Sequence, residues 1–310
     1  MDINSKIAVI GHRGMVGSAI LRKLNECGYK NVINSGDIDL RVQEDVKDWF
    51  IKNRPKFVFL VAGKVGGIMA NNTYRAEFIY DNILIEANVI HQAHRYSVEK
   101  LLFVGSSCIY PVDCPKPIRE EYLLSGSLEP TNEPYAIAKI AGIKMCENYK
   151  KQYRDNFISA IPTNSYGIND KYHLQNSHVL PSLLRRVISA KKRGIKELDI
   201  WGTGRPRREF IYVDDMADAL VFLMKNYNDE TTINVGTGQD ISIKGLAELI
   251  KEVVGWDGVF VFNGLMDGMF EKRLDVSKIN NMGWHAKTTL YDGISKTIEH
   301  IYEHKLDENW

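Results

Sequence analysis

Short apolar runs alternate with longer amphipathic stretches through the first half of the chain. Lys6–Ile10, Val32–Asn34, Phe57–Val61, Leu101–Gly105 and Phe157–Pro162 read as strands. Between them, Met15–Cys27, Val42–Lys52, Tyr74–Tyr96 and Tyr135–Tyr153 space their apolar residues as helices do. Strands alternating with helices imply right-handed crossovers and a parallel sheet covered on both faces. Such a sheet binds its ligands beyond the carboxyl ends of its strands. The second half is less regular. Helices are expected at Ser177–Lys192, Asp215–Lys225, Ser242–Val254 and Leu290–Glu303, and strands at Leu198–Trp201, Glu209–Val213, Thr232–Val235 and Val259–Phe262. No repeat, low-complexity tract or linker interrupts them. The pattern predicts an α/β protein: a doubly wound parallel sheet in residues 1–165 with a re-entry near 209–238, and a smaller α/β unit formed mainly by 166–310.

Composition changes this picture little. The chain has 310 residues, 44% hydrophobic and 25% charged, which is ordinary for a globular protein. A formal net charge of +1 gives no reason to expect nucleic acid or an anionic membrane as partner. No apolar run approaches the length of a membrane span, and polar Met1–Lys6 runs straight into a strand rather than reading as a signal peptide. A cytoplasmic protein is expected. Cys27, Cys108, Cys114 and Cys146 show no CxxC or metal-type spacing, so reduced thiols are expected and no metal site.

Chemistry concentrates where strands end. The first strand runs into Gly11-His12-Arg13-Gly14-Met15-Val16-Gly17, a GxxGxxG turn opening a helix. Glycines there permit a tight turn and the close approach of a diphosphate, to which the helix start offers free N–H groups. The spacing is one residue longer than the usual GxGxxG, and such turns gain meaning only after the first strand of a βαβ series, as here. Cofactor choice is ambiguous in this region. Asp37, about twenty residues past the glycines, suits a free ribose hydroxyl or is a simple turn residue, whereas Arg13 suits a 2′-phosphate. Asp39, followed by Leu40, could reach an adenine amino group.

Tyr135-Ala136-Ile137-Ala138-Lys139 is a YxxxK motif on a predicted helix, which puts the ammonium beside the phenol. A free phenol has a pKa of ~10, and an adjacent cation would lower it toward working pH. Alone, YxxxK is usually a surface pair. Ser106, just beyond the strand Leu101–Gly105 and leading Ser106-Ser107-Cys108-Ile109-Tyr110, gives the motif its context: a hydroxyl at that mouth can bond the same substrate oxygen that the tyrosine protonates.

With these residues placed, the chain resembles the extended short-chain dehydrogenase/reductases, a Rossmann-fold group, and within them the GDP-L-fucose synthase family. The resemblance covers essentially the whole chain. It is carried by Gly11–Ala19, Lys64–Ile68, Gly105–Pro111, Leu128–Lys139 and Asn176-Ser177-His178-Val179. It implies a bifunctional 3,5-epimerase and 4-reductase of a GDP-4-keto-6-deoxy sugar. Ser106, Tyr135 and Lys139 would form the reductase triad, and Cys108 and His178 the acid/base pair of epimerisation. Gly11, Arg13, Gly14, Met15, Val16, Gly17, Asp39, Leu40, Ala62 and Lys139 would hold NADPH, with Arg13 facing its 2′-phosphate. Asn164, Arg186, Trp201, Arg208 and Lys272 would hold the GDP-sugar. The counterparts of Tyr74–Tyr96 and Tyr135–Tyr153 pair across a two-fold axis, which implies a homodimer.

The physical chemistry agrees with the implied roles. A 4-keto group acidifies the hydrogens at C3 and C5, and inversion needs one group to remove a proton and another to return it from the opposite face. Free thiol and imidazole, with pKa values of about 8.5 and 6.5, suit that exchange. Two departures from the family pattern matter. Ser35 stands where a second arginine near the 2′-phosphate is expected, and Leu265-Met266-Asp267-Gly268 lacks the proline before Asp-Gly near the sugar. A GDP-4-keto-6-deoxy-heptose is therefore an alternative substrate. Other readings are a 4-reductase without epimerase activity, a 4-epimerase with tightly held NAD, and a non-catalytic dinucleotide sensor; Cys108 and His178 argue against the first two, and the triad against the last. A 4,6-dehydratase would carry an acidic pair where Ser107-Cys108 stand.

Overall fold

The computed structural model describes residues 1–173, 177–264 and 269–310. Asn176 of the Asn176–Val179 run and the whole of Leu265–Gly268 lie outside the described residues. The chain begins with β1 (Ile7–Ile10), α1 (Met15–Glu26), β2 (Val32–Asn34), α2 (Gln43–Asn53), β3 (Phe57–Leu60), α3 (Ile68–Thr73), α4 (Arg75–Arg95), β4 (Lys100–Val104), α5 (Glu133–Tyr153) and β5 (Phe157–Pro162). It continues through β6 (Asn164–Tyr166), α6 (Val179–Arg193), β7 (Glu197–Ile200), β8 (Arg207–Tyr212), α7 (Val213–Asn226), β9 (Ile233–Val235) and β10 (Asp240–Ser242). Last come α8 (Ile243–Val254), β11 (Val259–Phe262), β12 (Glu271–Lys272), α9 (Ser277–Asn281) and α10 (Leu290–Glu303). The expected elements are all present. Helix α5 starts two residues earlier than its apolar spacing suggests, because Pro134 fits a first turn whose N–H groups need no helical acceptor. The additional elements α3, β6, β10, β12 and α9 are too short and polar to show periodicity.

Six strands form a parallel sheet in the order β2-β1-β3-β4-β5-β9. Strands β1, β3, β4 and β5 are buried along their whole length, as continuous apolar runs in a doubly covered sheet must be. Helices gather in two layers, α1 with α7, and α2 with α4 and α5. After β1 the chain turns to one side for β2 and then crosses to the other for β3, so the strand order reverses between β1 and β3. A crevice beyond the carboxyl ends of the strands opens at such a switch point.

A second apolar cluster is built around α6, α8 and α10. Strand β8 runs beside it, pairing with β10, β12 and β6, with Lys272 opposite Arg208 and Asn164 opposite Phe210. Between them in β8 stands Glu209, fully buried. Its carboxylate accepts N–H bonds from Thr237 (2.7 Å), Gly238 (2.8 Å) and Leu274 (2.8 Å). Its carbonyl accepts from Asn164 Nδ2 at 2.9 Å and Thr163 Oγ1 at 3.2 Å. One side chain thus ties the strand carrying Arg208 to the turn after β9 and to the segment after β12. Glu209→Ala should leave three N–H groups without their partner, the Leu274 one buried and the other two half-buried, and lower stability by about 2 kcal/mol or more. Urea unfolding midpoints measure this; a variant as stable as the parent would show that water replaces the carboxylate.

Candidate active site

The turn after β1 is shaped by how closely its backbone approaches the neighbouring strand end. Gly11 has φ +101, and a Cβ there would lie 2.5 Å from Ala62 N; a Cβ on Gly17 would lie 2.2 Å from Gly11 O. Gly14 has only that same carbonyl within 4 Å, at 3.5 Å, and caps α1, whose first residues are Met15 and Val16. Ala62 is buried beside the turn, in the loop leaving β3. That loop is pinned by fully buried Asn82 of α4, whose Oδ1 accepts from Lys64 N at 2.9 Å and whose Nδ2 donates to Lys64 O at 3.1 Å. A glycine cradle at a helix start, closed by a pinned loop, fits a dinucleotide diphosphate.

At the end of β2, Arg13 pairs with Asp37, and both side chains are largely exposed. The two residues whose signals conflicted in sequence therefore engage each other. Asp39 is held by Arg41, Nη2 to Oδ2 at 2.7 Å and Nε to Oδ1 at 3.0 Å, and these hydrogen bonds bring its carboxyl down to about 2. Arg41 also reaches Asp81 at 3.3 Å. Leu40 O accepts from Asn88 Nδ2 at 3.0 Å. Ser35 is buried, so its position does not offer a side chain to solvent. The second guanidinium of this region is instead Arg41, which spacing did not single out.

Beyond β4, Ser106 caps the short 3₁₀ turn Ser107–Ile109, its Oγ accepting from Cys108 N at 3.4 Å. Tyr135 and Lys139 face this turn from α5. Lys139 is almost fully buried: its Nζ donates to Val104 O at 3.2 Å, lies 4.7 Å from the Phe103 ring centroid and 5.8 Å from that of Tyr135, and forms an ion pair with Glu86 of α4 at 3.0 Å. The expected lowering of the Tyr135 phenol does not occur with protein groups alone. Burial pushes the phenol up, with Cys108 and Glu86 adding to it, and a hydrogen bond with Ser106 opposes without prevailing. The Glu86 carboxylate offsets the cation that was expected to act.

Two residues from the second half reach the same place. Lys272 lies opposite Arg208 in β12, and burial pushes its ammonium down while the Cys108 sulfur pulls it up. Burial likewise pushes the Cys108 thiol up, against Lys272, Ser106 and Lys139. His178 stands at the N-cap of α6 and is exposed, yet desolvation by the protein around it, together with Lys272, pushes its imidazole down. Ser106, Cys108, Tyr135, Lys139, Lys272 and His178 are thus brought into one electrostatic neighbourhood.

The remaining expected contacts are arranged less tightly. Asn164 is tied to Glu209 O, and Arg208 Nη1 donates to Arg207 O at 2.7 Å. Arg186 Nη2 donates to Asp199 O on β7, two residues before Trp201, which is 62% exposed and leaves a wide aromatic face open to a ligand. Among the described residues, no group of three or more His, Cys, Asp or Glu is placed to hold a metal ion, and no helix is long and apolar enough to cross a membrane. Glu86 and Asn82 were missed from sequence. Both stand on the buried face of α4 with Phe78, Val89, Ile90 and Ala93, and polar residues on an apolar helix face were the available signal.

Residues 7–236 match the NAD dependent epimerase/dehydratase family. GDP-L-fucose synthase 1 of Arabidopsis thaliana is 52% identical over 301 residues, covering 96% of this chain and 93% of the relative. GDP-L-fucose synthase of Escherichia coli (strain K12) is 46% identical over 312 aligned positions, covering 97% of each. The solved structure of a GDP-mannoheptose C4 reductase from Campylobacter jejuni with NADP bound matches with a TM-score of 0.90 at 39% identity, over 97% of this chain and 99% of that one. The turn, the triad at the end of β4 and these full-length likenesses agree: the chain belongs to the NAD dependent epimerase/dehydratase family and, within it, to the GDP-L-fucose synthase family.

Proposed function

We propose that the protein is a bifunctional 3,5-epimerase and NADPH-dependent 4-reductase that converts GDP-4-keto-6-deoxy-mannose to GDP-L-fucose in the cytoplasm. The observation that carries this reading is the convergence of Cys108, His178 and Lys272 on the Ser106–Tyr135–Lys139 cluster, since a simple reductase needs only the last three. GDP-L-fucose synthases of Arabidopsis thaliana and Escherichia coli, at 52% and 46% identity, support the hexose substrate over the heptose-acting structures at 37–39%. On this reading residues 1–165, with the re-entry near 209–238, bind the dinucleotide, and the rest of 166–310 mainly binds the GDP-sugar.

The residues divide the work by chemistry. Ser106 and Tyr135 hydrogen-bond the C4 oxygen, which stabilises the enolate formed when a proton leaves C3 or C5. Burial keeps the Cys108 thiol protonated and the His178 imidazole neutral at neutral pH, so the pair holds one transferable proton and one basic nitrogen in the same resting state. Arg208, Arg186 and Lys272 supply positive charge for the diphosphate, and Trp201 a face for the base or sugar. When bound, NADPH supplies the hydride that reduces C4. Tyr135 gives the C4 oxygen its proton, and Lys139 sits where it can steady both the phenol and the nicotinamide ribose.

The two steps should separate by mutation. In heavy water without NADPH, the parent should place deuterium at C3 and C5 of the 4-keto substrate. Exchange should hold its rate at acid pH to below about 6.5, because His178 is pushed below the ordinary imidazole value and stays neutral there. Cys108→Ser and His178→Asn should each lose most epimerisation while some direct reduction remains, giving an unepimerised alcohol by mass spectrometry and NMR. Tyr135→Phe should do the opposite. Normal exchange and normal product from the Cys108 and His178 variants would make the protein a plain reductase.

NADPH should be preferred over NADH by a modest margin. Arg13 is available to a 2′-phosphate because its pair with Asp37 is exposed and exchangeable, whereas Arg41 is already held by Asp39 and Asp81. Arg13→Ala should raise the Michaelis constant for NADPH more than that for NADH; equal losses would give Arg13 a purely structural role in the turn.

A homodimer through α4 and α5 follows from the same reading. Ile90, Ile140 and Ile143 are consumed by the core, but Tyr80, Ile83 and Ile137 remain exposed on these helices. Light scattering at micromolar concentration should return twice the chain mass of 35.3 kDa, and a monomer would refute the interface.

A further inference from the structure

Lys139 does not stand alone under the tyrosine. Glu86, on the inward face of α4, is 1% exposed, and its Oε1 lies 3.0 Å from Lys139 Nζ. Neither of its carboxylate oxygens finds a well-aligned hydrogen bond among the described residues, so the ammonium is its electrostatic counterpart. Helix α5 leaves room for it. A Cβ on Gly142 would come within 2.6 Å of Glu86 Oε2 and 2.6 Å of Phe103 Cζ, so no side chain fits where the carboxylate sits. The other buried positions of α4 are apolar Phe78, Val89, Ile90 and Ala93 and the uncharged amides Asn82 and Gln92, so Glu86 is the one charged residue among them. A buried ion pair adds little stability over well-packed hydrophobic residues, because desolvation offsets the attraction. Packing alone therefore does not account for a carboxylate at position 86.

We propose that Glu86 is a positioning residue for the reduction: its charge, 3.0 Å from Lys139 Nζ, acts with the hydrogen bond to Val104 O to hold that ammonium beneath Tyr135. This rests on the reading of Lys139 and Tyr135 given above. Held between the Val104 carbonyl and the Glu86 charge, the ammonium keeps N–H donors for the nicotinamide ribose. Facing the pair are Tyr135 and Cys146 from α5 and Cys108 from the turn after β4, with the uncharged Ser159 hydroxyl of β5 next to Cys146. Burial pushes the Glu86 carboxyl up while Lys139 pulls it down, and its charge is one of the influences that hold the Tyr135 phenol up, after burial and Cys108. Removing that charge lets the phenol lose its proton at lower pH.

The test compares Glu86→Gln with the parent by steady-state reduction of the GDP-4-keto sugar across pH. The expected result is a fall in kcat of about 10- to 100-fold near neutral pH, of the size seen when a partner orienting a functional group is lost. KM for the GDP-sugar should stay within about twofold, and the alkaline limb of kcat should move down by about one pH unit or more. Glu86→Asp, which keeps the charge but withdraws it by one methylene, should recover part of both effects; if the Gln variant does not fold, a parental profile from Glu86→Asp overturns the proposal. In a Lys139→Met background, Glu86→Gln should change nothing further, because its effect acts through the lysine. An equal loss in both backgrounds would make Glu86 a packing residue and overturn the proposal. So would a parental kcat and alkaline limb in Glu86→Gln while Lys139→Met loses reduction. Normal reduction by Lys139→Met would instead overturn the reading of the triad itself.

Discussion

A parallel sheet covered by helices on both faces admits few polar side chains along its strands. β1, β3, β4 and β5 are buried at every position, and their backbone groups are satisfied by neighbouring strands. Unpaired N–H groups, hydroxyls and charged side chains therefore gather mainly at the edge where the strands end, with Lys100 in β4 and Ser159 in β5 as buried exceptions. The glycine turn follows β1, the Ala62 loop follows β3 and the Ser106–Cys108 turn follows β4, so a dinucleotide and the atoms it acts on share one edge. The reversal of strand order between β1 and β3 opens the space between the first two of these loops. The smaller apolar cluster then needs only to present β8 and β12 to that edge, and Glu209 ties β8 to the turn after β9 and to the segment after β12 through three backbone N–H groups.

The same burial sets the electrostatics. Cys108 and Tyr135 are pushed up and His178 and Lys272 down, in each case mainly by desolvation, so all four lean toward their uncharged forms. Proton transfers between such groups and a sugar begin from a neutral resting state, where developing charge on the C4 oxygen meets donors already in place. Lys139 is the buried exception that carries an explicit counter-charge, in Glu86. At the rim the balance is different. Arg13 and Asp37 pair in solvent, where an ion pair contributes little and exchanges readily for a stronger anion.

The sequence by itself determined the order and kind of the main elements, because buried parallel strands must be continuous apolar runs and their covering helices amphipathic. It also determined which residues end up at the sheet's carboxyl edge, since each follows directly on such a run: Gly11, Ser106 and Cys108 could be placed by counting. Tyr135 and Lys139 could be put on one helix face for the same local reason. Short, polar β6, β10 and β12 carry no periodicity, and only pairing with β8 makes them strands. The tertiary structure alone decided what each charge faces. Glu86 lies 53 positions before Lys139, Asp37 lies 24 after Arg13, and Lys272 is separated from Cys108 by more than half the chain. Electrostatic partners are chosen by distance through space in a medium whose polarity depends on everything packed around them. Hence the expected depression of the Tyr135 phenol by its lysine, sound as local chemistry, is reversed once burial and the Glu86 carboxylate are counted.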